Sequence, residues 1–342
     1  MKWRKAMHRA LLEVLACPEC HGPLKLQQEG APTTSIEDGS LTCASCTERY
    51  LIRDGIPRFS PAEWDDVQNF GWQWERFRHT QIDRFNKTHE SEKRFRAETG
   101  WQPENLKRLL VLDAGCGAGR FSAVAAEWGA RVVAVDLAPG AAESCKKNME
   151  DSGLDVDVIQ ASLFKLPFRP QVFDRVLSLG VLHHTPDPQR AIAILPTFLK
   201  PGGLLAYWLY EKRWYRFLMV RNYLRIVTRR LPHKFNWHLS FSLVCLFFPS
   251  ALLMSLIPFV KRLQPFLPIS SRVQWGSHSL RHAWEWTLLD TFDSYSAKYE
   301  FPQREEKVCQ GLRQAKMVEV QRTSARGMAI TAKKPSLDVA TL

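Results

Sequence analysis

Through its middle third the chain repeats one pattern: a short apolar or β-branched run, a glycine-rich or polar break, then a spacer of helical length. Val111 and Leu112 run straight into Asp113, Gly115, Gly117 and Gly119. A second run, 131–135, ends in Asp136, and a third, 156–160, leads into Ser162 and Leu163. A fourth, 173–179, leads into His183 and His184, and a fifth, 204–209, follows a break at Pro201, Gly202 and Gly203. Runs of this type predict strands. Their alternation with helical spacers predicts right-handed crossovers and a parallel sheet that gathers ligands at its strand C-termini. Residues 305–315 read as a helix, and 317–323 with 327–333 as a closing antiparallel hairpin.

The break after the first of these strands carries chemistry. Glycines at alternate positions let the backbone turn tightly and pass against a ligand with no Cβ between them, and the helix that follows offers unpaired N–H groups to an anionic group. Asp113 at the strand tip suits the cationic amino-acid end of a ligand and repels a pyrophosphate. Arg120 stands where the dinucleotide fingerprint needs its last glycine. The loop therefore fits S-adenosylmethionine (SAM) better than a dinucleotide. Asp136 follows Asp113 by 23 residues, about where an acidic side chain meets ribose hydroxyls in doubly wound sheets.

Cys17 with Cys20 and Cys43 with Cys46 form two Cys-x-x-Cys pairs separated by 22 residues, a spacing that predicts one tetrahedral, structural zinc ion. Disulfides are the alternative. Cys116, Cys145, Cys245 and Cys309 are scattered and no secretory signal precedes them, which predicts a reducing cytosol. Residues 1–60 thus read as a zinc-ribbon domain too small to stand without its metal. Residues 61–104 read as a helical linker that returns over the cofactor mouth, with Trp72 and Trp74 first as packing residues and second as cation–π partners of a sulfonium. Residues 105–342 form the main domain.

Residues 105–210 resemble a class I SAM-dependent methyltransferase of the type 11-like group. The acidic glycine loop, the acidic end of the second strand, Leu166-Pro167-Phe168, the Phe173-Asp174 strand with His183-His184, and Leu199-Lys200-Pro201-Gly202-Gly203 occur in family order. With its cysteines and the run 50–59, the N-terminal module resembles the small zinc-ribbon activator proteins of tRNA methyltransferases. Residues 289–299 resemble an element of bacterial methyltransferases that also carry the ribbon and a basic apolar insert. The resemblance implies an α/β fold with a doubly wound seven-stranded sheet, the last strand antiparallel. It implies that Gly115, Gly117 and Gly119 approach the methionine moiety beside Asp113, that Asp136 holds the ribose, and that Ser162 and Leu163 flank the adenine. Leu137 and Leu179 complete the expected cofactor wall. Ser162 stands where many relatives carry aspartate, which predicts weaker binding. For the reaction, His183 or His184 is the expected general base, with Asp293 and Tyr295 orienting the acceptor. The alternatives left open are that the histidines shape the pocket floor and that Asp290 and Asp293 cap a helix.

Formal net charge is +12, and its location matters more than its size. Between Lys200 and His282, 13 Lys and Arg stand against one acid, Glu211, so this segment carries the whole excess. A methyltransferase sheet passes from its fifth to its sixth strand in a few tens of residues, so 211–279 reads as an insert. In 216–231, Val220, Tyr223, Leu224, Val227 and Leu231 share one helical face and Arg221, Arg225 and Arg229 the opposite one. Residues 239–260 carry no charge in 22 positions. A single membrane crossing is excluded, because the strands on either side belong to one sheet. The expectation is two short helices, 239–248 and 250–257, hinged at Pro249 and dipping into one leaflet; a buried lid or a homodimer interface is the alternative. Either way the acceptor pocket should be apolar. The leading expectation is a methyltransferase for a hydrophobic or lipid-linked small molecule, cytoplasmic and peripheral on the inner membrane face through 211–262. An RNA methyltransferase is the runner-up, although an RNA groove needs a solvated basic surface, and a non-catalytic SAM-binding adaptor comes third.

Overall fold

A computed structural model describes residues 6–28, 35–60, 68–271, 273, 279–324 and 327–336. The start of the expected linker (61–67) and part of the expected insert (272, 274–278) lie outside these residues. At the N-terminus, β1 (Met7–His8) pairs with β3 (Ser35–Ile36), while β2 (Leu24–Gln27), β4 (Gly39–Cys43), β5 (Arg49–Arg53) and β6 (Ile56–Arg58) form an antiparallel ribbon. Three helices follow: α1 (Gln68–Arg76), α2 (Asp83–Asn86) and α3 (Glu90–Thr99). The main sheet and its crossovers are β7 (Leu110–Ala114), α4 (Arg120–Glu127), β8 (Arg131–Asp136), α5 (Pro139–Ser152), β9 (Val156–Gln160), β10 (Phe173–Leu179), α6 (Pro188–Ile194) and β11 (Leu199–Leu209). Then come α7 (Val220–Thr228), α8 (His233–Ser255), α9 (Pro258–Lys261), α10 (Leu280–Ser296), α11 (Glu305–Gln314), β12 (Val318–Ser324) and β13 (Met328–Lys333).

Strands β7 to β11 are parallel, β13 is antiparallel to β11, and the order β12-β13-β11-β10-β7-β8-β9 is the doubly wound seven-stranded arrangement. The sheet does not end there. β6 lies parallel to β9 and carries β5, β4 and β2 with it, giving one sheet of 11 strands. Alternate residues of each strand feed two cores, as the period of a strand requires. Val111, Val132 and Ala134 pack with α3, α4 and α5. Leu112, Val133 and Val135 pack with α6, α11 and the apolar residues of the ribbon. The ribbon therefore has no separate core.

Two local expectations need correction. Residues 199–203 do not separate strand from helix: β11 begins at Leu199, and its partner register jumps from Phe173–Leu199 to Arg175–Leu204, so the glycines form a bulge inside the strand, with Gly202 at φ +76°. Nor does Pro249 hinge two helices, because α8 runs continuously through it. Proline removes only the bond to the Cys245 carbonyl, and packing of α8 against α10 holds the rest. α8 is long and apolar enough to cross a bilayer by length and composition, and 22% of its most apolar window is buried in the protein.

The most informative departure is α7. Its apolar face (Val220, Tyr223, Leu224, Val227) is exposed and its polar face is turned inward. Arg225 donates to the Ser294 carbonyl and faces Glu300, Arg216 pairs with Glu300, Arg221 donates to Ser270 Oγ, and Thr228 Oγ1 donates to the Tyr295 carbonyl. Burial lowers the pKa of both Arg221 and Arg225. Arginine stays charged even so. Apart from Leu51, Leu280, Phe301 and Val318, every exposed large apolar side chain among the described residues lies between Trp214 and Leu263.

Candidate active site

A cavity of about 280 Å³ opens at the C-terminal ends of β7, β8, β10 and β11, with α1 across it. Gly115 and Gly117 line it at φ +91° and +54°, values that favour glycine. A Cβ on Gly115 would stand 2.4 Å from Val181, and one on Gly117 2.9 Å from the Trp74 ring. Gly119 does not line the cavity. A Cβ there would meet Cys145 Sγ at 2.8 Å, so Gly119 lets α4 pack on α5 rather than approach a ligand.

Asp113 needs a second correction. Its carboxylate is 2% exposed, accepts from Ser122 Oγ at 2.6 Å, and lies outside the cavity lining. Burial, opposed by Ser122 and reinforced by Asp136, pushes its carboxyl up to about 7. It ties the glycine loop to α4 and touches no ligand space, because side chains alternate across a strand and this one points back under the loop. Asp136 does line the cavity. Its two oxygens accept from the N–H groups of Gly117 (2.9 Å) and Ala138 (3.0 Å), leaving further lone pairs toward the opening. Leu137, Leu179, Ser162 and Leu163 line the same wall. Ser162 Oγ accepts from the Phe164 N–H, and its own N–H donates to Ser60 Oγ, a residue of the ribbon side.

At the other end stand His184, Asp290, Asp293, Lys298, Tyr299, Tyr210, Trp208, Phe70 and Arg94. His184 Nδ1 lies 2.8 Å from the Tyr299 carbonyl. A carbonyl only accepts, so Nδ1 carries the hydrogen and neutral His184 keeps its lone pair on Nε2. That Nε2 is 3.9 Å from Asp293 Oδ2. Burial pushes the Asp293 carboxyl up to about 6, with His184 opposing and Asp290 adding to the rise. The geometry separates the paired histidines. His183 is buried, stacks on Tyr210 at 3.9 Å, accepts from the Tyr210 N–H, and is held neutral by burial; it lies outside the cavity. Tyr295 is likewise outside, its hydroxyl donating to the Pro268 carbonyl at 2.6 Å. Both bond to main chain instead, because successive positions on a helix face different ways.

Trp72 and Trp74 divide the roles expected of them. Trp72 packs on Trp237 and Phe292, and Trp74 faces the cavity. Residues 70, 73 and 74 line it together, a spacing of three and four that was readable as one helix face. What could not be read was which core that face meets. Trp208 on β11, Tyr210 just beyond it and Arg94 on α3 arrive only through tertiary packing.

The four ribbon cysteines converge, with all sulfurs within 4.8 Å, Cys17–Cys46 at 3.6 Å and Cys20–Cys43 at 3.4 Å. A tetrahedron of ~2.3 Å zinc–sulfur bonds has edges of about 3.8 Å, so this donor set fits zinc. The N–H groups of Cys46 and Ser45 point at Cys43 Sγ and lower its thiol to about 6, which favours the thiolate a metal needs.

Residues 112–207 match the methyltransferase domain family and residues 8–55 the Trm112p-like family. The ubiquinone biosynthesis O-methyltransferase of Methylocella silvestris is 37% identical over 105 residues, 31% of this chain and 41% of that protein. That of Xanthomonas euvesicatoria is 41% identical over 101 residues, 29% and 42% of the two chains. The chain thus spans about two fifths of the length of these curated relatives. Among solved structures, the SAM-bound magnesium protoporphyrin IX methyltransferase of Synechocystis is 15% identical, covering 80% of this chain and all of that one, with a TM-score of 0.44. The two family matches thus fall on separate parts of the chain, the methyltransferase domain on residues 112–207 and the Trm112p-like domain on residues 8–55.

Proposed function

We propose that this chain is a SAM-dependent O-methyltransferase whose acceptor is a hydrophobic or lipid-linked small molecule drawn from a membrane surface. The observation that carries this reading is the outward-facing apolar insert, which begins just beyond Tyr210, a residue of the cavity wall. Contiguous exposed apolar surface marks an interaction site. Exposed Arg229, Arg230, Lys234, Lys261 and Arg262 lie within the same segment, each suited to an anionic headgroup at about 1 kcal/mol near the surface. Because β11 and β12 share one sheet, α8 lies in the plane of an interface rather than across a bilayer. The relatives named for ubiquinone biosynthesis support a lipid-linked acceptor and an oxygen nucleophile.

SAM supplies, when bound, a methyl group activated by a sulfonium. Gly115, Gly117, Asp136, Leu137, Ser162, Leu163 and Leu179 would hold it. The chain's main contribution is alignment, which supplies ~7–11 kcal/mol where reacting atoms are held in line. His184 Nε2 takes the acceptor's hydroxyl proton, and the Asp293 carboxylate balances the imidazolium that forms. The inward turn of Arg221 and Arg225 favours lipid over RNA, since those cations are spent on Ser270, Ser294 and Glu300.

The test incubates full-length protein with methyl-labelled SAM and a membrane extract, beside co-sedimentation with phosphatidylcholine vesicles with and without phosphatidylglycerol. The expected result is binding to the anionic vesicles and label in the lipid-soluble fraction. Label in RNA, or a stable dimer that ignores vesicles at low salt, overturns the reading.

A further inference from the structure

The correction at Asp113 leaves a question at the glycine end of the cavity: which oxygen receives the ammonium of the donor's amino-acid moiety? Asp113 is spent on Ser122 behind the loop, and Asp136, whose oxygens accept from the Gly117 and Ala138 N–H groups, is the carboxylate assigned to the ribose. Asp290 and Asp293 stand on α10 at the acceptor end. One further side chain meets the requirement. Gln73 lines the cavity, is 1% exposed, and its Oε1 has no hydrogen-bond partner among the described residues.

Its position follows from α1. Phe70, Gln73 and Trp74 share the cavity face of that helix, the Trp74 ring sits against Gly117 and the Phe70 ring against His184, so Gln73 opens onto the cavity between the glycine loop and His184. A buried carbonyl oxygen without a donor is costly, and buried polar groups of this kind are ordinarily satisfied. An amide also offers a donor beside its acceptor. That pairing matches a zwitterionic α-amino acid, whose carboxylate has Arg120, the first residue of α4 after the glycine loop, in the same lining.

We propose that Gln73 is a donor-binding residue, its Oε1 accepting from the α-ammonium of SAM. The inference rests on the donor assignment above and adds a contact from outside the matched methyltransferase segment.

The test is calorimetry on zinc-replete full-length protein with two ligands, S-adenosylhomocysteine and 5′-methylthioadenosine, which shares the nucleoside thioether and lacks the amino acid. Gln73→Leu is expected to weaken S-adenosylhomocysteine by about tenfold to a hundredfold, the range of a hydrogen bond to a charged group, and to leave methylthioadenosine within about twofold. Gln73→Glu keeps the accepting oxygen and is expected to retain S-adenosylhomocysteine binding. Unchanged S-adenosylhomocysteine affinity in Gln73→Leu, or equal weakening of both ligands, overturns the proposal. Wild-type protein that binds neither ligand overturns the donor assignment itself, and this contact with it.

Discussion

The ribbon and the insert are both additions to a seven-stranded sheet, and they are attached by opposite means. The ribbon joins through main chain. Phe59 N–H donates to the Gln160 carbonyl, Ala16 N–H to that of Pro167, and Arg169 N–H to that of Val14. Its apolar residues Met7, Leu11, Leu15, Leu41 and Ile52 disappear into the core under the sheet. The insert joins mainly through side chains, with Thr228 Oγ1 donating to the Tyr295 carbonyl, Arg225 to that of Ser294 and Tyr295 to that of Pro268, and most of its apolar surface stays outside. The two also reach different ends of the cavity. The ribbon brackets residues 160–168, which carry Ser162 and Leu163. The insert packs on α10, which carries Asp290 and Asp293. An apolar segment thus has two fates: it completes a core when a sheet edge receives it, and stays exposed when its polar face is the one the protein binds.

The comparison breaks most visibly at the metal. Cys43→Ser or chelation should unfold the ribbon, because in a module this small metal binding is folding free energy, and should weaken S-adenosylhomocysteine about tenfold or more by freeing residues 160–168. Zinc analysis with calorimetry checks this; donor affinity that survives loss of zinc would make the ribbon a mere appendage. At the opposite end, His184→Gln should lower turnover about 10²- to 10⁴-fold with donor affinity unchanged. Asp293→Asn sharpens that point through pH. A carboxyl titrating at about 6 is ionised above that pH, so wild-type turnover should rise through it, and the variant's pH profile should lose this inflection.

Next in size is a matched pair. Ile52→Ala, in a site 1% exposed, should cost about 2–5 kcal/mol. Leu253→Ala, in a site 66% exposed, should stay within about 0.5 kcal/mol while reducing vesicle binding. Urea unfolding measures both, and equal costs would mean that the insert face is covered in solution. The smallest effect on donor binding is expected from Ser60→Ala, which removes one acceptor from the Ser162 N–H. It should weaken S-adenosylhomocysteine severalfold, on the order of 1 kcal/mol, and a null result in calorimetry would confine the ribbon's influence to its main-chain bonds.

Legibility followed the range of the interactions. The strands from β7 to β11, the positive-φ glycines and the two cysteine pairs could be read because each depends on neighbours within a few residues. Pro249 misled because a local breaking tendency was outweighed by packing along α8. His183 and His184 were indistinguishable as a pair, and so were Trp72 and Trp74, since a one- or two-residue step changes which way a side chain points but leaves no trace in composition.

By itself, the order of residues determined an α/β sheet with a glycine-rich ligand loop, a four-cysteine cluster and a basic, apolar insertion, because period, turn chemistry and ligand spacing are local properties. Only the tertiary structure decided that Asp113 serves the loop rather than the cavity, that His184 rather than His183 faces it, and that α7 buries its arginines and exposes its leucine face. Those outcomes depend on what stands across from each side chain: Ser122, Tyr299 and Glu300 are distant in the chain or on other elements, and contact with them is set by how the sheet and helices come together.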